Sequence, residues 1–426
     1  MSDFDVNRRE VVKAGAATAL GLASGMSFPA LAQGTRTIKI GFVSPSTGPL
    51  AAFGESDRFG VAAIQQLLKG GLQIGPRRHS VEILVKDSQS SPNRAGEVAA
   101  DLILKDKVDL MVVGDTPETC NPVSDQCELN EVPCVSSLCP WQPWFFGRKG
   151  DPAKGFNWTY HFFWGLEDII AVFTGMWKSQ ATNRVVGGLF PNDSDGNAWG
   201  DPKLGLPPAL AKDGFKLVDP GRFQNLQQDF SAQISAFKKE NCEIVTGVVI
   251  PPDMKTFWTQ ARQQGYRPKM VTVGKALLFP TAIEALGDIG EGMTSEVWWT
   301  PSHPYKSSLT GQSARQLADA FEASSGKQWT QPIGFVHALF EVAIDTLKRT
   351  RDVSSRAAIR DALAATSLET IVGPVAWGKG PVKNVTRTPL VGGQWQRGSK
   401  HKFELVIVDN HNAPNIPVGG KLKLLG

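Results

Sequence analysis

Hydrophobic and polar positions follow two recurring patterns along the chain, short apolar runs and segments with helical spacing. Residues 37–44 form a β-branched run typical of a strand. Residues 57–69 place apolar side chains three and four positions apart and end at two glycines, which predicts a helix. The alternation continues through predicted strands at 81–85, 108–113 and 132–136 and predicted helices at 92–105 and 122–130. Such strand–helix units, each about 30–40 residues long, predict a parallel sheet with helices on both faces.

The alternation starts afresh near residue 165, which predicts a second parallel sheet. Predicted helices lie at 165–179, 207–212, 229–240 and 252–264, and predicted strands at 184–190, 215–218, 243–250 and 270–273. Three more helices and one late strand are predicted at 317–321, 335–349, 355–363 and 403–408. Residues 134–164 are rich in aromatic residues and proline, which predicts an ordered, irregular loop leading into a crossing between lobes. The predicted fold class is α/β, with two lobes that are each a parallel-sheet sandwich.

The N-terminal 32 residues have the features of an export signal. Paired arginines, Arg8 and Arg9, precede a weakly hydrophobic stretch at 14–28, and a small-x-small cleavage site follows at 30–32. This order is typical of a twin-arginine signal peptide, so residues 1–32 are predicted to be one. The twin-arginine translocase is then a partner during export. The periplasm is the expected location, or the outer surface of a cell that has no second membrane. The alternative is a short amphipathic helix of the mature fold.

Composition and motifs exclude several functions. A chain of 426 residues with 41% hydrophobic and 20% charged residues suits two or three globular domains. A net charge of +4 is too small and too dispersed to indicate nucleic-acid binding. No hydrolase elbow, zinc-protease motif, phosphate-binding loop or dinucleotide fingerprint occurs, and the six histidines are scattered. We therefore expect no enzyme activity, no cofactor and no metal.

Four of the five cysteines lie close together in the sequence, at Cys120, Cys127, Cys134 and Cys139, with Cys242 distant. An oxidising compartment would allow one or two disulfides. Two cysteines seven residues apart on one helix are separated by about 10 Å, which is too far for a disulfide. That excludes a bridge between the first two if both lie on one helix. The remaining pairings stay open, as does the alternative that all five are small buried hydrophobic residues.

Several segments, in their order along the chain, resemble the type I periplasmic solute-binding proteins of ABC importers, whose best-known members bind leucine, isoleucine and valine. The segment at 40–55, IGFVSPSTGPLAAFGE, resembles their opening strand and loop, and 87–95, DSQSSPNRA, resembles the exit of their second strand. The segment 229–234, DFSAQI, resembles a helix of their second lobe, and 372–375, VGPV, resembles the late turn through which their chain returns to that lobe. The resemblance extends over roughly residues 36–380.

The resemblance implies two lobes joined by three hinge crossings, with a small-molecule ligand captured between them by hinge closure. The implied division assigns residues 36–161 and 299–370 to lobe I, and residues 162–298 and 371–426 to lobe II. It also implies an ABC permease and a cytoplasmic ATPase as partners. A monomer is expected.

The resemblance also indicates candidate ligand-binding residues in lobe I. The family's carboxylate-binding loop corresponds to the segment with Thr116 and Thr119, which keep hydroxyl groups. The alternative for Thr119 is ordinary helix capping. The loop after the fourth strand, which usually ends with a hydroxyl residue, here carries Leu138, Cys139 and Trp141.

Further candidates come from both lobes. Lys275 stands near the place where relatives carry an acid for the ligand ammonium, and a lysine there would attract a carboxylate instead. The alternative is a solvated surface lysine. Phe53, Trp141, Trp199 and Trp299 are predicted to wall a flat ligand, or else to pack in the lobe cores or the hinge.

The predicted function is therefore capture of a small amino acid or carboxylate solute, with an aromatic acid or amide favoured over leucine. A branched-chain amino acid-binding protein in the strict sense is the first alternative. A twin-arginine-exported enzyme and a sensory ligand-binding protein without a permease are the others.

Overall fold

Two β-sheets organise the computed structural model, which describes residues 36–425. The first sheet has six strands, β1 Ile38–Ser44, β4 Val81–Asp87, β5 Leu110–Gly114, β6 Cys134–Ser137, β7 Thr159–Phe162 and β15 Val385–Thr386. Their order in the sheet is β15-β7-β6-β5-β1-β4. The pairings are parallel, and every residue of β5, β6 and β7 is buried, as expected for parallel strands covered on both faces.

The second sheet has seven strands in the order β17-β16-β12-β11-β10-β8-β9. The strands are β8 Val185–Leu189, β9 Lys216–Val218, β10 Ile244–Val248, β11 Met270–Gly274, β12 Thr294–Val297, β16 Val391–Arg397 and β17 Phe403–Asp409. Strands β8 to β12 pair in parallel, whereas β16 and β17 form an antiparallel edge. The predicted α/β fold with two sheets is confirmed.

Helices cover both sheets. They are α1 Asp57–Leu67, α2 Pro92–Leu104, α3 Pro117–Leu129, α4 Trp141–Phe145, α5 Leu166–Lys178, α6 Ser194–Trp199, α7 Leu206–Lys212, α8 Ser231–Lys239, α9 Pro251–Gln263, α10 Pro280–Glu284, α11 Ala314–Ser325, α12 Pro332–Arg349 and α13 Arg356–Ala364. Helix α3 begins five residues before the predicted start and includes Pro122 in its interior. Within residues 36–425, no helix is long and apolar enough to cross a membrane.

Residues 134–164 contain more regular structure than the sequence pattern predicted. Helix α4 begins directly after Pro140, and β7 extends the first sheet beyond β6. The prediction of an irregular loop is wrong here because β7 is buried on both faces and has no apolar–polar alternation. The expected crossing to the second lobe does follow, between β7 and α5.

The chain returns to the second sheet later than the sequence pattern predicted. Strand β15 pairs with β7 in the first sheet, although residues 371–426 were assigned to lobe II. The segment 372–375, interpreted as the returning turn, lies in a hairpin of β13 Ser367–Thr370 and β14 Gly373–Ala376. This hairpin packs against α12, so the chain stays with the first lobe until Thr386. A second small hairpin joins β2 Leu72–Ile74 and β3 Arg77–His79.

Candidate ligand-binding site

A small cavity lies between the two sheets, where strands of both end. Thr116 follows β5 and Leu138 follows β6, whereas Lys275 follows β11 and Trp298 follows β12, and all four line the cavity. Ligands of open parallel sheets bind at this end of the strands. The cavity measures ≈ 20 Å³, which is room for about one water molecule. The two lobes therefore enclose the site closely.

Aromatic rings occupy most of the space between the lobes. Phe53 of the first lobe meets Phe279 of the second edge-on at 4.9 Å between ring centroids. Phe163 meets Trp298 in the same way at 5.3 Å. Trp199 is 1% exposed, and its ring packs directly over the backbone of Gly274, where a Cβ atom would come within 2.8 Å of it. These rings fill the site with their own side chains.

Several polar atoms of the cavity lining are buried without a hydrogen-bond partner among the described residues. The donors are the indole Nε1 atoms of Trp164, Trp199 and Trp298 and the hydroxyl of Thr116. Asp195 contributes an acceptor, its Oδ1. Leaving such atoms unpaired costs about 1–3 kcal/mol each. A solute that both accepts and donates hydrogen bonds would recover that cost.

Lys275 lies at the centre of an ion-pair cluster. Its Nζ is 2.9 Å from Asp195 Oδ2 and 3.7 Å from carboxylate oxygens of both Glu118 and Asp193. Burial alone would lower the pKa of Lys275, but these carboxylates, Asp195 first, raise it well above its usual range. The lysine therefore stays protonated. Its backbone has φ +67° and ψ −53°, close to a strained γ-turn that non-glycine residues rarely adopt.

The cluster holds more acids than bases. Burial raises the pKa of Asp195 to about 7, of Asp115 to about 8 and of Glu296 to about 7, and hydrogen bonds or Lys275 only partly offset it. Glu296 accepts the backbone N–H of Lys275 at 3.2 Å and the hydroxyl of Ser295 at 2.7 Å. One lysine is thus matched against several carboxyl groups, and the pKa values of Asp195, Asp115 and Glu296 lie near neutral pH. The site disfavours additional negative charge.

Five of the eight predicted binding residues line this cavity: Phe53, Thr116, Leu138, Trp199 and Lys275. The alternative of a solvated surface lysine is wrong, because Lys275 is 5% exposed. The carboxylate that Lys275 attracts in this structure belongs to the protein itself, because its Nζ pairs with Asp195 Oδ2 at 2.9 Å.

Three predicted residues lie behind or outside the cavity wall. Thr119 donates its hydroxyl to Asp115 Oδ2 at 2.5 Å, and it does not cap α3, whose N-cap residue is Thr116. Cys139 is buried but, unlike its neighbours Leu138 and Pro140, it does not line the cavity. Trp141 faces the other way, and its indole donates to Glu167 Oε1 at 3.1 Å. Trp299, also suggested as a wall, packs against Trp329.

The sequence pattern missed several lining residues. Glu296 lies in β12 and Trp298 directly follows this strand, which the apolar pattern did not reveal. Trp164 ends the segment interpreted as a loop. Although Lys275 stands near the position of the family's acid, two other carboxyl groups that could pair with a ligand ammonium, those of Asp195 and Glu118, lie beside it. Within residues 36–425, no group of histidine, cysteine, aspartate or glutamate side chains is arranged to hold a metal ion.

Comparison with known proteins agrees with this architecture. The family model for periplasmic binding proteins matches residues 37–400. The chain belongs to this family. It is 23% identical over 366 residues to a leucine-, isoleucine-, valine-, threonine- and alanine-binding protein of Pseudomonas aeruginosa, covering 84% of this chain and 90% of the relative.

Solved structures of two-lobed type I periplasmic binding proteins share the fold. A leucine-binding protein from Thermotoga maritima is 20% identical with a TM-score of 0.69, covering 88% of this chain and 99% of that one. A solute-binding protein of an ABC transporter from Rhodopseudomonas palustris, in complex with p-hydroxybenzoic acid, is 16% identical with a TM-score of 0.71, covering 89% and 98%. At these sequence identities, the likeness is evidence for a shared fold only.

Family membership gives the general role of this periplasmic binding protein. Such proteins bind small solutes without catalysing a reaction, lie outside the cytoplasm and work with the permease of an ABC transporter. The cavity between the lobes, at the carboxyl ends of the parallel strands, is where this family's architecture places a solute.

Proposed function

We propose that this binding protein captures a small uncharged solute with a primary amide group and delivers it to its permease. The observation that carries the proposal is the mixed lining of the cavity, which must widen from ≈ 20 Å³ to admit such a solute. Unpaired indole N–H groups of Trp164, Trp199 and Trp298 can donate to a carbonyl oxygen, whereas Asp195 and Glu296 can accept from an amide nitrogen.

The charge balance favours an amide over a carboxylate. A ligand carboxylate would lie among Asp195, Glu118 and Glu296. Lys275, the one lysine or arginine among the described residues that line the cavity, is already paired. Burying a further negative charge beside these carboxyl groups costs several kcal/mol. A neutral amide avoids that cost and still satisfies both kinds of unpaired atom. The two solutes have nearly the same shape, so charge decides between them.

Matched pairs of amide and acid test this proposal. We expect calorimetry at pH 7.5 to show at least one of acetamide, isobutyramide or benzamide binding more tightly than its isosteric carboxylate. The expected difference is tenfold or more, which corresponds to about 1.4 kcal/mol. Glu296→Gln should weaken amide binding, whereas Glu341→Gln, a change at a buried acid remote from the cavity, should not. Tighter binding of the carboxylate in every pair would contradict the amide proposal.

An aliphatic amino acid is the second candidate, because Asp195 and Glu296 are positioned to pair with an ammonium group. The Pseudomonas relative is named for binding such amino acids. An amino acid would still have to place its carboxylate in an acidic surrounding. Valine binding at least as tightly as isobutyramide would favour this candidate over the amide.

Capture by hinge closure is part of the proposal. Glu118 of the first lobe reaches across the cleft to Lys275 Nζ and accepts the backbone N–H of Ser194 at 3.2 Å. The contact of Phe53 with Phe279 also joins the lobes. These contacts support a closed form that separates when the lobes open.

Export through the twin-arginine pathway is proposed from Arg8 and Arg9, which lie outside the described residues. Changing both arginines to lysine keeps the charge but removes the paired signal. We expect the unprocessed precursor of this variant to accumulate in the cytoplasm. Cell fractionation and immunoblotting measure this, with Lys13→Arg as a control that leaves the pair intact. Normal processing of the double variant would contradict twin-arginine export.

A further inference from the structure

The four clustered cysteines come together in two pairs. Cys120 and Cys127 both lie on α3, and seven residues are nearly two helical turns, so their thiols share one face. That face packs against β6, which carries Cys134, and against the following loop, which carries Cys139. All four belong to one buried cluster of side chains, and none is more than 1% exposed.

The positions of the cysteines along the helix and the strand indicate which are partners. All five cysteines are free thiols in this structure. Cys127 lies near the end of α3 and Cys134 begins β6, whereas Cys120 lies near the start of α3 and Cys139 follows the end of β6. Cys120 Sγ donates to the carbonyl oxygen of Ser137 at 3.3 Å, which places it beside the loop that carries Cys139. A backbone hydrogen bond supports the pair of Cys127 and Cys134. The N–H of Val132 donates to the carbonyl oxygen of Cys127 at 2.9 Å, and the chain turns back toward β6 at this hydrogen bond.

We propose that Cys120–Cys139 and Cys127–Cys134 form two nested disulfide bonds once the protein reaches an oxidising compartment. Each bond forms by exchange with the disulfide of a thiol:disulfide oxidoreductase. One cysteine thiolate attacks that disulfide, and the second displaces the oxidoreductase sulfur from the mixed disulfide. The cysteine pair loses two protons and two electrons, and the oxidoreductase is reduced to its dithiol. Proteins outside the cytoplasm meet such oxidants.

The buried position of the thiols determines how oxidation proceeds. Burial raises the pKa values of Cys127 and Cys139 well above the usual range, so the folded protein holds them as unreactive thiols. Exchange therefore requires local opening of α3. Pro122 inside this helix lacks the N–H that would donate to the preceding turn, which weakens the helix between the two cysteines. Oxidation of the folded protein should be slow and should accelerate in mild denaturant.

The bridges would stabilise one wall of the cavity. Helix α3 carries Thr116 at its start, and the loop after β6 carries Leu138, and both residues line the cavity. The Cys120–Cys139 bond would join these two segments covalently, next to the lining residues. This inference depends on the cysteine geometry alone and does not require the amide proposal.

Thiol counting on the purified protein tests the proposal. After incubation with oxidised glutathione in mild denaturant, quenching and full unfolding, we expect one thiol to react with iodoacetamide, that of Cys242. The protein treated with dithiothreitol should give five. Mass spectrometry should show no glutathione adduct and a loss of two hydrogens per bridge. Five reactive thiols after oxidation, or glutathione adducts in place of bridges, would overturn the proposal.

Peptide mapping then identifies the partners. No lysine or arginine lies between Lys107 and Arg148, so trypsin releases all four cysteines in one peptide. Additional cleavage at Asp125 separates Cys120 from Cys127, and chymotryptic cleavage after Leu138 separates Cys134 from Cys139. The expected cross-linked fragments join the first cysteine to the last and the two middle ones to each other. Any other pairing would overturn the proposal.

Paired variants provide the matched control. Cys120→Ala/Cys139→Ala removes one proposed bridge and should still form the other, leaving only Cys242 reactive after oxidation. Cys120→Ala/Cys134→Ala removes one partner from each pair and should leave three reactive thiols. The two variants lose the same number of buried thiols, so a folding defect common to both does not explain a difference in thiol count. Equal counts in the two variants would overturn the pairing.

Discussion

Replacing Lys275 by methionine is expected to lower the free energy of unfolding by about 3–5 kcal/mol at pH 8, because it leaves buried carboxylates without their cation. The change keeps the length of the side chain and the strained backbone of the residue. It removes only the charge that is 2.9 Å from Asp195 and 3.7 Å from Glu118 and Asp193. Urea unfolding followed by tryptophan fluorescence measures the difference from the unchanged protein.

The destabilisation should depend on pH in a defined direction. The pKa of Asp195 in the folded protein is about 7, above its value in the unfolded chain, so the folded form takes up a proton first as the pH falls. Removing the lysine charge raises this pKa further. In the folded variant the acid therefore becomes neutral at a higher pH than the parent value of about 7, and the lost cation then matters less. The difference between variant and parent should shrink as the pH falls toward about 7 and change little below it.

Lys327→Met is the matched control, because Lys327 forms an ion pair with Glu55 at 2.7 Å while remaining 60% exposed. An exposed pair of this kind contributes about 0–1 kcal/mol. A loss in Lys275→Met no larger than that of the control, or a difference that does not change with pH, would contradict the buried ion-pair cluster.

The sequence pattern predicted the elements whose apolar side faces the core and whose ends are marked in the sequence. Helix α1 and strand β8 lie within two residues of their predicted bounds. Strands β7, β12 and β16 were missed. The first two are buried at every position, so no apolar–polar alternation distinguishes them from other apolar segments. Strand β16 contains two glycines and is recognisable only through its pairing with β12 and β17.

Candidate site residues were predictable where the strand order alone places them. Lys275 directly follows β11 and Thr116 follows β5 after one residue, and the ends of these parallel strands meet at the cavity. The partners of Lys275 were not predictable in the same way. Asp195 lies 80 residues earlier in the chain, and its approach to Lys275 depends on how α6 packs in the folded lobe.

Side-chain direction explains the errors among the aromatic residues. Trp298 and Trp299 are neighbours in the sequence, yet only the first lines the cavity, while the second packs against Trp329. Trp141 follows the correct strand but begins a short helix that turns its ring outward toward Glu167. A surplus of tryptophan near a cleft thus indicated the region of the site, but not which rings face it.

Trp199→Ala is expected to cost about 3–5 kcal/mol of unfolding free energy, since it removes a fully buried ring. The Trp199→Ala change should also weaken solute binding, and by more than the loss of stability alone would explain. The ring supplies an unpaired indole N–H to the cavity and occupies the space above Gly274. Its loss should abolish binding of whichever amide binds the parent protein. It should also join the vacated space to the cavity, so that free indole binds and raises the thermal midpoint of the variant but not that of the parent.

Trp258→Ala separates these effects from a general loss of stability. Trp258 is also in the second lobe and 1% exposed, but it lies away from the cavity, and its indole donates to the carbonyl oxygen of Ile289. The Trp258→Ala variant should be destabilised to a similar degree as Trp199→Ala. It should keep the parent's affinity for the amide, as measured by calorimetry below the unfolding transition. If Trp199→Ala keeps that affinity as well, the aromatic rings pack the lobes together without contacting the solute, and the binding site lies elsewhere. If only Trp199→Ala loses it, the ring that fills the cavity is also the group that holds the solute.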